Sequence, residues 1–238
     1  MSKFCGTLGV GNRLYRLHSI GILLFVLSLV IGVAPASYAG NENTAENIFS
    51  VWSGGNFHRF IVNKTIDFSK YDQIIVLPIN TKELVISDRA RYKIRRNWKS
   101  FAEKDMPAIN ERFLELAALE FSGKSPLLLT DKGGKSVLAV QIIAKEVMPR
   151  AFRDTSLATV GKQSVEQIAT LQYQIVLTDT PSRGVVAMIE GDLLVAPRNG
   201  KINNRSMHFR AWERAWENLL EKFNIDLAEL QSITPLKE

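Results

Sequence analysis

The chain has 238 residues, 46% of them apolar and 23% charged, with 15 Gly and 8 Pro. That is the composition of one globular domain, or of one domain behind a processed leader, and it excludes collagen-like and disordered classes. A single Cys excludes a disulfide framework and a Cys-built zinc site, and three His leave little room for a His-rich metal centre. The net charge is +6, but residues 1–39 hold three bases and no acid, which leaves 27 bases against 24 acids after them. A balance that mild does not by itself point to nucleic acid.

Lys3, Arg13, Arg16 and His18 form a positive n-region. Ile20 to Ala34 is an apolar run broken only by Ser28 and two glycines. Pro35 ends it, and Ser37-Tyr38-Ala39 places small residues where a signal peptidase reads. Residues 1–39 are therefore expected to be a secretory signal peptide cleaved after Ala39, which puts the mature chain in the periplasm. The alternative is an uncleaved segment that anchors the chain in the inner membrane, but the run is short of the ~20 residues a span needs. Cys5 precedes the apolar run, so it is not placed to accept a lipid at a mature N-terminus. Cleavage would leave no thiol, which suits an oxidising compartment and removes thiol catalysis.

Residues 40–69 read as a flexible tether with a short strand near His58 to Val62. Ile74 to Leu77, closed by Pro78, reads as a buried strand. Residues 80–97 are polar and basic, and a helical region is expected over 98–121. Within it Ile109, Phe113, Leu116, Ala117 and Phe121 recur at three- and four-residue steps. Pro107 either kinks this helix or restarts it with Asp105 as the cap, and Gly123 is a plausible stop. Strands follow at 127–129, 137–147, 167–178 and 185–195. The third alternates Leu171, Tyr173, Ile175 and Leu177 with polar residues, and the fourth turns Val185, Ala187, Ile189, Leu193 and Val195 inward. A closing helix spans about 205–222, capped by Asn203 or Asn204, with the stripe Phe209, Trp212, Trp216, Leu219 and Phe223. Residues 226–238 read as a tail.

Three consecutive strands joined by turns must be antiparallel, and one polar face means that the sheet is covered on one side. The expected fold is α+β: a two-layer sandwich of a mixed, mostly antiparallel sheet of about five strands (β-α-β-β-β-β-α) with two helices on one face, in a single domain over 70–225.

The segments SKYDQIIVLP, FAEKDMP, LLLTDKGGKSVLAVQI and DTPSRGVVA, with the Trp-rich last helix, resemble a family of bacterial envelope proteins of unknown function, many of them small lipoproteins. The resemblance spans roughly residues 70–225. It implies a fold similar to the αβ domain of curli-secretion and penicillin-binding-protein-activator lipoproteins, and an envelope address. This chain lacks the lipid-accepting Cys of the lipoprotein members, and the resemblance carries over no catalytic residue.

No P-loop, GxSxG or HExxH pattern occurs, and no cofactor or metal is expected. After the leader only His58 and His208 remain, both near aromatic residues, where packing is their expected role. Glu190 and Asp192 leave one strand face two residues apart. They could serve a periplasmic hydrolase as paired carboxylates, or simply solvate the outer face of the sheet. The loop 150–163 is long enough to be functional: Arg150, Arg153 and Lys162 could meet an anion with Phe152 as apolar anchor, unless the strands merely extend into a hairpin. The densest signal is Arg89, Arg91, Lys93, Arg95, Arg96 and Lys99, six bases in eleven residues with no acid and with Tyr92 and Trp98 between them. A solvated loop is the bland alternative. Bases at the start of a helix oppose its dipole, however, so helix stability did not select them. Such a segment suits an anionic envelope component (lipid, lipopolysaccharide, glycan) or an acidic envelope protein; nucleic acid does not fit the compartment.

The sequence thus points to a non-catalytic periplasmic binding or assembly module. The alternatives are the hydrolase and a structural accessory subunit docking through Trp212 and Trp216. The oligomeric state is not legible.

Overall fold

A computed structural model describes residues 48–123, 125–153, 165–198 and 203–236. The expected leader, its cleavage at Ala39 and the loop residue Lys162 lie outside the described residues. Among the described residues, no helix is long and apolar enough to cross a membrane.

The fold is α+β, built on a mixed sheet of eight strands. In chain order the strands are β1 (Phe49–Val51), β2 (Arg59–Asn63), β3 (Gln73–Val76), β4 (Val85–Ile86), β5 (Leu128–Leu129), β6 (Val137–Pro149), β7 (Ala169–Asp179) and β8 (Val185–Val195). The spatial order is β1-β2-β8-β7-β6-β3-β5, with β4 also paired to β6. The chain β1-β2-β8-β7-β6 is antiparallel throughout, whereas β3 and β4 run parallel to β6, and β5 parallel to β3. The three long consecutive strands form the expected antiparallel centre. β2 and β5 match the short strands expected near residues 58–62 and at 127–129, and the two strands not expected, β1 and β4, are three and two residues long, too short to show a period.

The helices are α1 (Tyr92–Trp98), α2 (Phe101–Lys104), α3 (Met106–Glu120) and α4 (Arg205–Ile233). Pro107 stands in the first turn of α3, where its missing N–H costs nothing, so the helix restarts there. Asp105 precedes it but makes no side-chain cap; its carboxylate is used elsewhere. Gly123 takes φ +75°, a conformation that L side chains rarely adopt, just past the end of α3.

One core joins the inner sheet face to the helices. Leu138, Val140, Ile142 and Ala144 from β6, Leu171, Tyr173, Ile175 and Leu177 from β7, and Ala187, Ile189, Leu193 and Val195 from β8 are all buried. Phe113 of α3 meets Trp216 of α4 edge-on, ring centres 5.4 Å apart, and Phe121 meets Phe223 at 6.5 Å. Arg112 of α3 donates to Glu213 of α4 at 2.8 Å on the solvent side of that contact.

The structure corrects five sequence expectations. Residues 48–57 are not tether: β1 pairs with the strand expected near His58 to Val62, here β2, and the two extend the sheet beyond β8, with Trp52 and Phe60 buried in T-shaped contact at 5.1 Å. Residues 226–233 are not tail: they are the last turns of α4, with Leu227 and Leu230 buried. Asp226 hid this continuation, because a carboxylate sits where the stripe asks for an apolar residue. It is fully buried and accepts hydrogen bonds from the Asn56 backbone (2.8 Å) and side chain (2.5 Å). Burial raises its pKa, against the lowering effect of those bonds. Phe209 is exposed, and Met207, His208, Ala211 and Ala215 complete the buried stripe instead. Val185 is also exposed and Val186 buried, because the β7–β8 register shifts between Leu177 and Thr178. Trp212 and Trp216 are 2% and 1% exposed, so docking through these indoles is overturned: the core already holds them.

Candidate functional site

The basic segment folds as a helix rather than a loop, and it begins six residues earlier than expected. α1 begins at Tyr92, so Arg95 and Arg96 lie in its last turn and Lys99 at its C-cap. Cations there complement the helix dipole. The sequence argument that these bases oppose helix stability fails for those three.

Ile94 and Trp98 form the buried stripe of α1. The indole of Trp98 is fully buried and donates to the Ala151 carbonyl at 2.8 Å, which pins the helix to the end of β6. At about 100° per residue, the arc opposite this stripe carries Lys99, Tyr92, Arg96 and Lys93. All four are exposed, Tyr92 at 67%.

The six bases divide into two sets. Arg89 is paired with Glu146 on β6 at 3.1 Å and also reaches the Ser87 hydroxyl. The Ser87 hydroxyl and this arginine hold the Glu146 carboxyl below the usual range. Arg95 donates to the Asp88 carbonyl at 3.3 Å, and its guanidinium lies 5.9 Å from the Tyr92 ring centre. Arg91, Lys93, Arg96 and Lys99 have no ion pair among the described residues. They are the bases left free for a ligand.

The loop candidates separate from them. Arg153 lies behind α1 as an anchor: it pairs with Asp105 at 2.7 Å, donates to the Ser100 hydroxyl at 2.8 Å, and its backbone N–H donates to Asn97 at 2.6 Å. Phe152 packs against the core, and its carbonyl accepts from Asn203. Arg150 is exposed, and its backbone continues the strand pairing to Ile168. Phe152 is thus turned to the core, whereas Arg153, tied to Asp105 and Ser100, also lines a cleft behind α1.

A cleft of about 50 Å³ opens beside this anchor, floored by Trp98, Phe101 and Trp212 and rimmed by Arg205 and Phe209. His208 also lines it. The Asn203 amide nitrogen is committed to Phe152, so its oxygen faces the ring and accepts from His208 Nε2 at 2.6 Å. Burial, with Arg153 adding to it, pushes the His208 pKa down to about 4, so the ring is neutral at pH 7. Within the cleft, one carboxylate, Asp105, faces two guanidiniums, Arg153 at 2.7 Å and Arg205 at 3.7 Å.

Glu190 and Asp192 lie on the outer sheet face opposite Gln174 and Gln172, as the alternation predicts. Glu190 is tied to Arg59 at 2.7 Å. Among the described residues, no group of three or more His, Cys, Asp or Glu side chains could hold a metal ion. His58 is exposed on the segment that enters β2.

The sequence reading missed Asp105, Asn97 and Ser100 as partners of Arg153, since they lie about fifty residues away in the chain. The early start of α1 had a readable signal. Ala90, Ile94, Trp98 and Phe101 step by four, four and three, and all are buried.

No family model and no curated protein matches the chain. It is similar to several solved structures. A PelC dodecamer from Paraburkholderia phytofirmans has 11% identity, over 65% of this chain and 88% of that one, at a TM-score of 0.35. A Xanthomonas campestris protein of the DUF330 family has 13% identity, over 67% and 86%, at 0.35. A neuraminyllactose-binding hemagglutinin homologue from Helicobacter pylori has 10% identity, over 69% and 90%, at 0.32. The curli-secretion and penicillin-binding-protein-activator domains expected from the sequence are not among these likenesses.

Proposed function

We propose that the chain is a non-catalytic binding module of the bacterial cell envelope, carried to the periplasm by its leader, and that it binds an anionic component through the outward face of α1. One observation carries this reading: Lys93, Arg96 and Lys99 stand on one exposed arc around Tyr92, with Arg91 beside them and no acidic partner among the described residues. The address is supported by the sequence of residues 1–39. The non-catalytic part is supported by the outer carboxylates, since Glu190 is engaged by Arg59.

The test is retention on a soluble sulfated glycan, heparin, under a salt gradient. Wild type elutes late, and Lys93→Gln/Arg96→Gln/Lys99→Gln elutes early, because exposed charges act through screened Coulomb attraction. Equal elution of the two overturns the assignment of the surface. In cells, Glu190→Gln/Asp192→Asn leaves the phenotype of a binding module intact; loss of that phenotype without loss of protein would restore the hydrolase.

A further inference from the structure

Resting on that reading, we infer that the anionic component is a phospholipid bilayer surface, and that α1 lies flat on its headgroups with Tyr92 at the interface. The shape of the site argues for it. The four residues of the outward arc stand on the convex side of a helix about 10 Å long, and none of them lines the cleft behind α1. A single small anion is held where donors converge in a hollow. Here the donors diverge over a surface, which suits many charges spread in a plane.

The composition of the arc separates a lipid surface from an acidic protein. Protein partners are held mainly by an apolar centre with a charged rim. Between residues 86 and 118, Tyr92 is the only large hydrophobic side chain that is exposed. One tyrosine among free bases makes a poor protein hot spot. It does have the make-up of a bilayer interface contact: the ring enters the headgroup layer, its hydroxyl stays wet, and the cations meet the phosphates. The Arg95 guanidinium, 5.9 Å from the Tyr92 ring centre, supports the ring from one side.

The arc is also held in place before it binds. Ile94 and Trp98 are buried beneath it, and the Trp98 indole N–H is bonded to Ala151. Neutralising the outward bases therefore removes charge and leaves the fold, which separates this surface from a structural helix.

The test is cosedimentation of the full chain with vesicles of phosphatidylglycerol and phosphatidylcholine, against vesicles of phosphatidylcholine alone. The leader's own bases also favour anionic vesicles, so the α1 contribution is read as the difference between wild type and the triple variant. Wild type is expected to prefer the anionic vesicles, and the preference fades with salt. Lys93→Gln/Arg96→Gln/Lys99→Gln is expected to weaken that binding about a hundredfold, since each base near an anionic surface contributes about one kcal/mol. Glutamine keeps the helix propensity, and a thermal melt checks the fold. Lys132→Gln/Lys135→Gln serves as a control. It lies before the far end of β6, a strand of thirteen residues and thus ~40 Å from the α1 end, and it leaves binding unchanged.

Tyr92→Ser reads the lipid part alone. It is expected to weaken vesicle binding severalfold and to leave heparin retention as it was. Heparin retention without a preference for anionic vesicles overturns the lipid inference and leaves the binding reading standing. Failure to bind either probe overturns both. Vesicle binding that the triple variant retains, or that Tyr92→Ser does not change, also overturns the inference.

Discussion

Helices α1 and α4 use tryptophan in the same way and charge in opposite ways. Each turns its indoles inward: Trp98 from α1, Trp212 and Trp216 from α4, with Phe101 stacked on Trp212 at 5.5 Å. Several polar residues of α4 are tied to the rest of the molecule. Glu213 holds Arg112, Asn224 holds Ser125 and Glu120, and Asp226 holds Asn56. Among the described residues, the outward bases of α1 have no ion pair. Polar groups that serve the fold are consumed by partners, so the unconsumed set is where a binding surface is to be sought.

The strongest way to break this comparison is to empty the α4 stripe. Trp216→Ala is expected to destabilise by ~3–5 kcal/mol in a urea titration, since the site lies between Phe113 and Trp212 and is sealed from solvent. A wild-type midpoint would mean that the stripe is not core. Trp216→Phe keeps the ring contacts and removes an indole N–H with no acceptor among the described residues, so its cost is expected to stay below ~1.5 kcal/mol.

Next comes the polar interruption of that stripe. A Cβ on Gly55 would stand 2.6 Å from Asp226 Oδ2 and 2.9 Å from the Trp52 ring. Gly55→Ala is therefore expected to destabilise by ~1–3 kcal/mol, as overpacking does, and to loosen the β1–β2 hairpin in hydrogen exchange. Full exchange protection across residues 49–63 in that variant would show that Asp226 does not clamp the hairpin.

The far end of the sheet supplies a matched test of consumed charge. Burial alone would raise the Asp179 pKa. Bonds from the Ser182 hydroxyl and N–H, from Tyr71 and from Lys70 outweigh it and hold the pKa near about 2, below its ordinary 3.8. A folded pKa below the unfolded one adds stability that is complete above about pH 4 and is lost as pH falls toward 2. The loss is expected to be about 2 kcal/mol, and Asp179→Asn should flatten it. An acid limb that this variant leaves unchanged would assign the dependence to other carboxylates.

The smallest effect is expected on α1. Lys93→Gln, Arg96→Gln and Lys99→Gln each should shift stability by no more than ~0.5 kcal/mol, although together they are expected to weaken anion binding about a hundredfold. A large loss of stability would show that the α1 bases are consumed after all and would close the gap between the two helices.

Strong periodicity was legible over long spans. β6, β7, β8 and the first turns of α4 each carry enough alternation to reveal their inner face. Several failures share one cause, a local pattern interrupted by a residue whose reason lies elsewhere in the molecule. Asp226 ended the stripe of α4 on paper because its partner Asn56 is 170 residues away. The bases around Ile94 masked a helix whose buried face was already spaced for one. Phe152 and Arg153 read as ligand contacts because Asn97, Ser100 and Asp105, which engage Arg153, are remote in sequence.

The amino-acid order by itself determined the α+β class, the antiparallel centre of the sheet, the inward faces of its long strands, and the position of the densest positive charge. Those features depend on side-chain period and composition, which act within a few residues. Only the tertiary structure decided which strands extend the sheet at its edges and how far α4 runs. It also decided which of the six bases are already paired. Short edge strands are held by hydrogen bonds to distant backbone, and a base becomes free or engaged only when folding brings a carboxylate to it or leaves it in water.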